Sequence, residues 1–286
     1  TVPVANNLPV QMLSMEREQV LYGRGTVDMK AGVVVQLKLA ATISEPSTDV
    51  TYIFYDHEEV EASKNGLGRL AKNHPQLLDA SFAVLCEPTS AEVEGGCNGT
   101  MRVELNFDGV KAHSARPWMG KNAIHSASKA LATLAGYTPE EVNVDGLVYR
   151  ESLNAVLIHG GIATNVIPDD CKITVNYRFA PSKSAAQAEA HLREVFAGVA
   201  LEVVDVAEGA RPGLDRPEAI AFLAATKTQA RPKYGWTDVA RFSALGIPAV
   251  NFGPGDPSKA HADDEAVPVS QIYACENALR AWLSVG

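Results

Sequence analysis

The chain has 286 residues, of which 46% are hydrophobic and 21% charged, and a formal net charge of −9. That length predicts one large or two smaller compact units, with ample apolar material for a core and no disordered or repetitive tract. The acidic balance argues against a nucleic-acid or anionic-membrane surface, which needs a basic patch, and points to small molecules or metal cations as partners. Cys86, Cys97, Cys171 and Cys275 show neither CxxC spacing nor the density of a disulfide framework, so they read as reduced, mostly buried thiols of a cytoplasmic protein. No basic-then-apolar signal segment opens the chain, and runs such as "AGVVVQLKLAATI" are too short and interrupted to span a bilayer.

In chain order, "LYGRGTVDMKAG" is a Gly-punctuated loop that places Asp28 just before a buried helix, "VVVQLKLAATI". "VTYIFY" and "ASFAVLCE" read as central strands of a mostly parallel sheet, with a helical segment containing "LGRLAKN" between them. Their acids, Glu58, Glu59 and Glu87, fall at the carboxyl ends, the edge where ligands bind in open α/β sheets. From about Gly95 the texture changes. "TMRVELNFDGV" alternates as a half-exposed strand, "NAIHSASKALATLAGY" reads as one amphipathic helix, and "NAVLIHGGIA" and "CKITVNYRFAP" as further strands before the helix "SAAQAEAHLREVFAGV". The segments "PEAIAFLAATKTQ", "GWTDVARFSALGIPAVNFGPGD" and the terminal helix "SQIYACENALRAWL" return to the α/β style. The expectation is an α/β catalytic domain over 1–94 and 212–286, interrupted by an α+β domain over 95–211.

Divalent metals need ionised oxygens or neutral imidazoles converging from several segments, and Asp28, Glu58, Glu59, Glu87 and His261 each fall at a loop or strand end. Adjacent acids on a regular strand face opposite ways, so Glu58 and Glu59 share a site only where the strand gives way to a loop. One acid then ligates while the other handles protons. Acids at strand ends are also common as solvated loop charges, and spacing alone does not separate the two readings. His57 reads as a packed or exposed histidine before a ligand. The Gly-rich "GRGTVDMKAG" lacks the GKS/T ending of a phosphate loop, and no GxSxG elbow suggests a serine hydrolase.

The ordered blocks "LYGRGTVDMKAG", "YDHEEVEA", "CEPT", "GVKAHSARPWMGKNAI", "GIATNVIPD", "NYRFAP" and "NFGPGDPSKAH" resemble the M20 metallopeptidase family over nearly the whole chain, most closely its succinyl-diaminopimelate desuccinylases of actinobacterial type. The resemblance implies a zinc-hydrolase catalytic domain carrying a dimerisation (lid) domain, two Zn2+ per subunit and a homodimer. It implies that Asp28 bridges the two ions, that the peptide after it is cis, that Glu59 and His261 complete one zinc site, and that Glu87 ligates the second ion. Glu58 matches the general base and Asp56 a loop-organising neighbour. His113 matches a histidine that reaches the partner subunit's site to stabilise the oxyanion, while Asn165 and Arg178 match substrate-contacting positions. A guanidinium fork suits a substrate carboxylate.

The implied reaction removes succinate from N-succinyl-LL-2,6-diaminopimelate. Acetylornithine deacetylase or carboxypeptidase-like activity is the alternative within the family, and a non-catalytic remnant that binds or dimerises is the alternative outside it. Family members carry an HxD motif just before a Val-Pro pair, and the match begins after that motif, at "TVPVANNLP". The second zinc site is therefore expected to keep only Asp28 and Glu87, with weak or absent turnover of the chain as it stands.

Overall fold

The computed structural model describes residues 7–15, 18–59 and 63–284; the Val2-Pro3 pair lies outside them. Two compact units divide the chain. One comprises Thr1–Gly96, Pro212–Lys233 and Thr237–Gly286, the other Cys97–Arg211 with Tyr234–Trp236.

The first unit holds a four-stranded sheet in the order Ala230–Pro232, Val93–Gly95, Ala249–Asn251, Ala83–Leu85. Its two outer pairings are parallel and the central one antiparallel, so the sheet is mostly parallel, as expected, with one antiparallel pairing at its centre. Val35, Leu39, Val93, Phe222, Val250, Phe252 and Cys275 form the core beside it, and the Phe222 ring meets Trp282 at 5.0 Å and Phe252 at 5.5 Å. Aromatic groups in edge-to-face contact add to the area they bury.

Three expectations need correction here. The helix Ala31–Thr42 buries Ala31, Val35 and Leu39, one stripe at i, i+4, i+8, and leaves Val34 and Leu37 about half exposed, so it is one-sided rather than buried all round. Gly32 lies on that stripe because a Cβ there would stand 2.2 Å from the Cys86 carbonyl oxygen, and this close approach packs the helix against the strand end that carries Glu87. The second correction concerns "VTYIFY", which forms no strand. Among the described residues Ala83–Leu85 ends its sheet, paired with Ala249–Asn251, and residues 50–55 join no ladder; β-forming side chains do not make a strand without a neighbour.

A separate antiparallel sheet, Gln11–Met15 with Glu18–Tyr22 and Ala266–Pro268, sets Tyr22 opposite Ala266. It joins the chain just before the Asp28 turn to the chain just after His261.

The second unit is α+β. Its antiparallel sheet runs Ala200–Ala207, Gly99–Asp108, Asp170–Phe179, Ser152–Gly160, and alternate residues Met101, Val103, Leu105 and Phe107 enter the core. The third correction falls here, because the single helix expected after Asn122 is two, Ala123–Ser126 and Ser128–Ala135. The Ala127 amide is shared among the carbonyls of Ala123, Ile124 and His125, as at a helix end. The helix Ala185–Val195 opens with a capping box between Ser184 and Gln187.

Candidate metal centre

Asp28 sits in the tight turn Thr26–Lys30, entered through Gly25 at φ 77°, and the peptide joining it to Met29 is cis. Glu58 and Glu59 follow the irregular segment 50–57, and His261 lies in a loop with φ 64°. The three separated stretches meet. His261 Nε2 lies 2.8 Å from Asp28 Oδ2 and 2.6 Å from Glu59 Oε1, and one ligand atom from each of the three residues falls within 4.8 Å of the others.

Burial raises the pKa of the Asp28 carboxyl, and the hydrogen bond and charge of Glu59 raise it further. For Glu59, burial is outweighed by its bonds to Asp28 and His261, which hold it below the usual carboxylate range. Burial likewise opposes charge on His261, but the two carboxylates on its ring keep its pKa above the ordinary imidazole value. Glu58 is pushed up to about 7 by burial and then by the charges of Asp238, Glu59 and Asp28. Glu87 meets solvent over part of its surface, yet it is packed deeply enough for burial to push it up to about 8, with Glu58 and Asp28 adding to the rise and Lys233 opposing it.

Two carboxylates and an imidazole at this spacing are a zinc-type donor set. Glu58 and Glu87 add two carboxyl groups whose ionisation burial and the neighbouring acids oppose, a cost that Lys233 relieves in part at Glu87. The residues present therefore fit a divalent metal, with Asp28, Glu59 and His261 as one set of donors and Glu87 near enough for the charges of Asp28 and Glu58 to act on it. His57 is engaged elsewhere. Its Nδ1 pairs with Asp56 at 2.8 Å, while Asp56 also accepts from Arg69 at 2.6 Å and from the Gly66 amide at 2.9 Å.

In the second unit, His113 and Asn165 are neighbours. His113 pairs in register with Val166, and the Ser114 amide donates to the Asn165 carbonyl at 2.9 Å. The Ala115 amide donates to His113 Nδ1 at 3.1 Å, which puts the neutral ring's proton on Nε2. Arg178 is not with them. Val166–Ile167 leads into the Asp170 end of the strand Asp170–Phe179, and Arg178 stands near the other end. The eight steps from Asp170 to Arg178 span roughly 27 Å at about 3.4 Å per residue. Arg178 Nε donates to Asn176 Oδ1 at 3.1 Å, and among the described residues no carboxylate pairs with it. Burial, then the Arg102 charge, lowers its pKa.

The sequence profile of peptidase family M20/M25/M40 matches residues 1–284. The chain belongs to that family. Among M20 relatives it is 52% identical over 285 residues to the Mycobacterium tuberculosis protein named for succinyl-diaminopimelate desuccinylase, DapE, covering 99% of this chain and 79% of that protein. It is 45% identical over 293 residues to succinyl-diaminopimelate desuccinylase of Corynebacterium glutamicum, covering 99% and 78%. In fold it is similar to a Staphylococcus aureus tripeptidase, with a TM-score of 0.73 at 22% identity, covering 96% of this chain and 75% of the other. The M20 fold is thus a mixed α/β hydrolase, and the chain is a metallo-amidohydrolase of this family.

Two further acids of this M20 chain went unread in the sequence. Glu265, fully buried, accepts from the amides of Gly25, Val27 and Asp28 and from Arg24. Asp238, also fully buried, accepts from Tyr55 Oη at 2.8 Å, Asn65 Nδ2 at 3.0 Å and Arg241 Nε at 2.5 Å, and so anchors the segment leading to Glu58 and Glu59. Neither stands in a spacing that marks it in sequence. The one available signal was an acid directly before an apolar strand, as Glu265 stands before "AVPV".

Proposed function

We propose that this protein removes the succinyl group from N-succinyl-LL-2,6-diaminopimelate by zinc-dependent amide hydrolysis, giving succinate and LL-diaminopimelate for lysine and cell-wall precursor synthesis. The relatives named for that activity support the substrate. The observation that carries the chemistry is the meeting of Asp28, Glu59 and His261 beside Glu58. Asp28, Glu59 and His261 would hold one zinc, and Asp28 with Glu87 would contribute to a second. Bound there, the metal supplies Lewis acidity that polarises the amide carbonyl and eases removal of a proton from the attacking water.

The protein's own groups do the rest. Glu58 stands outside the three-residue cluster, so its carboxylate is left to take a proton from water as the oxygen attacks the carbonyl carbon. The same carboxyl returns that proton to the amine nitrogen as the C–N bond breaks. His113, with Nε2 protonated, donates to the developing oxyanion. Arg178, without an acid of its own among the described residues, takes a substrate carboxylate in its guanidinium fork, and Asn165 lines the same substrate.

The distance along the strand between the His113–Asn165 pair and Arg178 supports a homodimer in which His113 serves the partner's site. The edge strand Ser152–Gly160 offers a surface for that pairing, with Val156, Leu157 and Ile158 about half exposed and one side of its backbone unpaired within its sheet. Four buried cysteines that form no disulfide suit a reducing cytoplasm. Turnover of succinyl-diaminopimelate, acetylornithine and dipeptides with zinc tests the substrate, and the succinyl amide should show the highest kcat/KM. A preference for either other class would overturn the reading. Mixing inactive Glu58→Gln and His113→Ala subunits should restore about a quarter of the wild-type rate, since half the reassorted dimers carry one intact site. No recovery would count against the shared site.

A further inference from the structure

The Asp28 turn and the His261 loop come from opposite ends of the sequence, yet their ligand atoms lie 2.8 Å apart. A zinc site tolerates little error in such spacing, because each donor must stand about 2.0 to 2.2 Å from the ion. Side-chain packing does not account for the alignment, since Asp28 is half-buried and His261 exposed. The common partner of the two loops is Glu265, four residues after His261 and fully buried.

Its carboxylate is saturated by the turn. Oε1 accepts from the Val27 amide at 2.9 Å and the Asp28 amide at 3.1 Å, while Oε2 accepts from the Gly25 amide at 2.9 Å and from Arg24 Nη1 at 3.2 Å. The backbone repeats the tie, because the Gly23 amide donates to the Glu265 carbonyl at 2.9 Å and Tyr22 Oη to the Asp263 carbonyl at 3.1 Å. Three amides of one turn converging on one carboxyl group are strong, short-range and directional constraints. They act on the backbone of a residue whose side chain belongs to the site.

We infer that Glu265 is a positioning residue that holds the Asp28 turn in register with His261 and thereby sets the metal affinity of the site. The inference rests on the reading that Asp28, Glu59 and His261 hold zinc. Glu265 touches neither metal nor substrate. A glutamine in its place keeps the shape and can accept two of the amides, but its NH2 group would then face the remaining donors. Two buried donors lose their partner and the turn loosens.

Zinc titration of the full chain tests this, comparing wild type, Glu265→Gln, Arg24→Lys and, as a control, Glu151→Gln. Glu151 is a buried carboxylate of the other unit that also accepts from a backbone amide and a cation, so its loss lowers stability without bearing on the Asp28 turn. With folding checked by circular dichroism, E265Q should bind zinc about 10- to 100-fold more weakly, the range found when a group behind a metal ligand is removed. R24K should weaken it by a smaller factor, and E151Q should leave it unchanged. Wild-type zinc affinity in folded E265Q would overturn the inference, as would a loss in E151Q equal to that in E265Q. Should E265Q fail to fold, R24K decides, and unchanged affinity there overturns it. A wild-type chain that holds no zinc defeats the proposed function instead. Amide exchange at Val27 and Asp28 in the metal-free proteins then decides, with exchange at least about 10-fold faster in the folded variant in support and an unchanged rate against.

Discussion

Two corners of the molecule gather carboxylates, and they treat them in opposite ways. In the second unit, buried Glu151 accepts from Tyr177 Oη at 2.6 Å, the Ala180 amide at 2.8 Å and Lys183 Nζ at 2.9 Å, and Lys183 also reaches Glu140 at 3.0 Å. The protein supplies every partner, and the corner is complete. In the first unit Asp28, Glu58, Glu59 and Glu87 share a small region in which His261 bonds to Asp28 and Glu59, and burial and neighbouring acids push Asp28, Glu58 and Glu87 toward neutrality. Folding leaves that corner short of positive charge. Buried acids that the protein itself satisfies are architecture, whereas buried acids left in mutual repulsion mark a place built for a cation from outside.

Substitutions in each region can break or sharpen this contrast. The largest effect is expected from Glu58→Gln, which should lower turnover by about 10² to 10⁴ while zinc content per subunit stays at the wild-type value, because a proton carrier is separable from the donors. Metal analysis beside steady-state rates checks it, and loss of zinc with an unchanged rate per bound ion would move Glu58 among the ligands. Arg178 is the mirror of the acidic corner, a cation lacking an acid partner among the described residues. Arg178→Met should lower kcat/KM by about 10- to 100-fold, the range of one charge-assisted contact, and Arg178→Lys should restore only part of it. An unaffected kcat/KM would return Arg178 to the status of a solvated strand residue. The smallest effect is expected in the completed corner. Lys183→Met should cost about 2 kcal/mol of stability by leaving Glu151 without its cation, with zinc content unaltered, as denaturant unfolding and metal analysis would show. A fall in zinc content with K183M would dissolve the distinction between the two corners.

Several particulars of the site were legible in the chain. Asp28 stands before a helix, two adjacent acids follow an apolar run, and His261 lies in a late loop, so residue type placed them among five candidates and the family resemblance implied the three that the structure brings together. The bracing acids were not legible. Glu265 and Asp238 work by receiving hydrogen bonds from groups distant in sequence, and a carboxylate that accepts from backbone amides leaves no periodicity or spacing behind it. The segment 50–55 misled for a related reason: its β-forming side chains are real, but a strand exists only where a neighbouring chain offers a ladder.

What the sequence by itself determined is local. The Gly-punctuated entry to Asp28, the alternation of Met101, Val103, Leu105 and Phe107, the capping box at Ser184 and cysteines spaced outside any disulfide framework all follow from short-range sterics, periodicity and composition. What only the tertiary structure decided is long-range. It settled which way the central pair of the four-stranded sheet runs, that Ala127 divides one helical stretch into two, that Arg178 stands a strand's length from the His113–Asn165 pair, and that Glu265 holds the turn of a residue 237 positions away. Distances of that kind come from the packing of whole elements, where many weak contacts choose among arrangements that local preference leaves nearly equal in free energy.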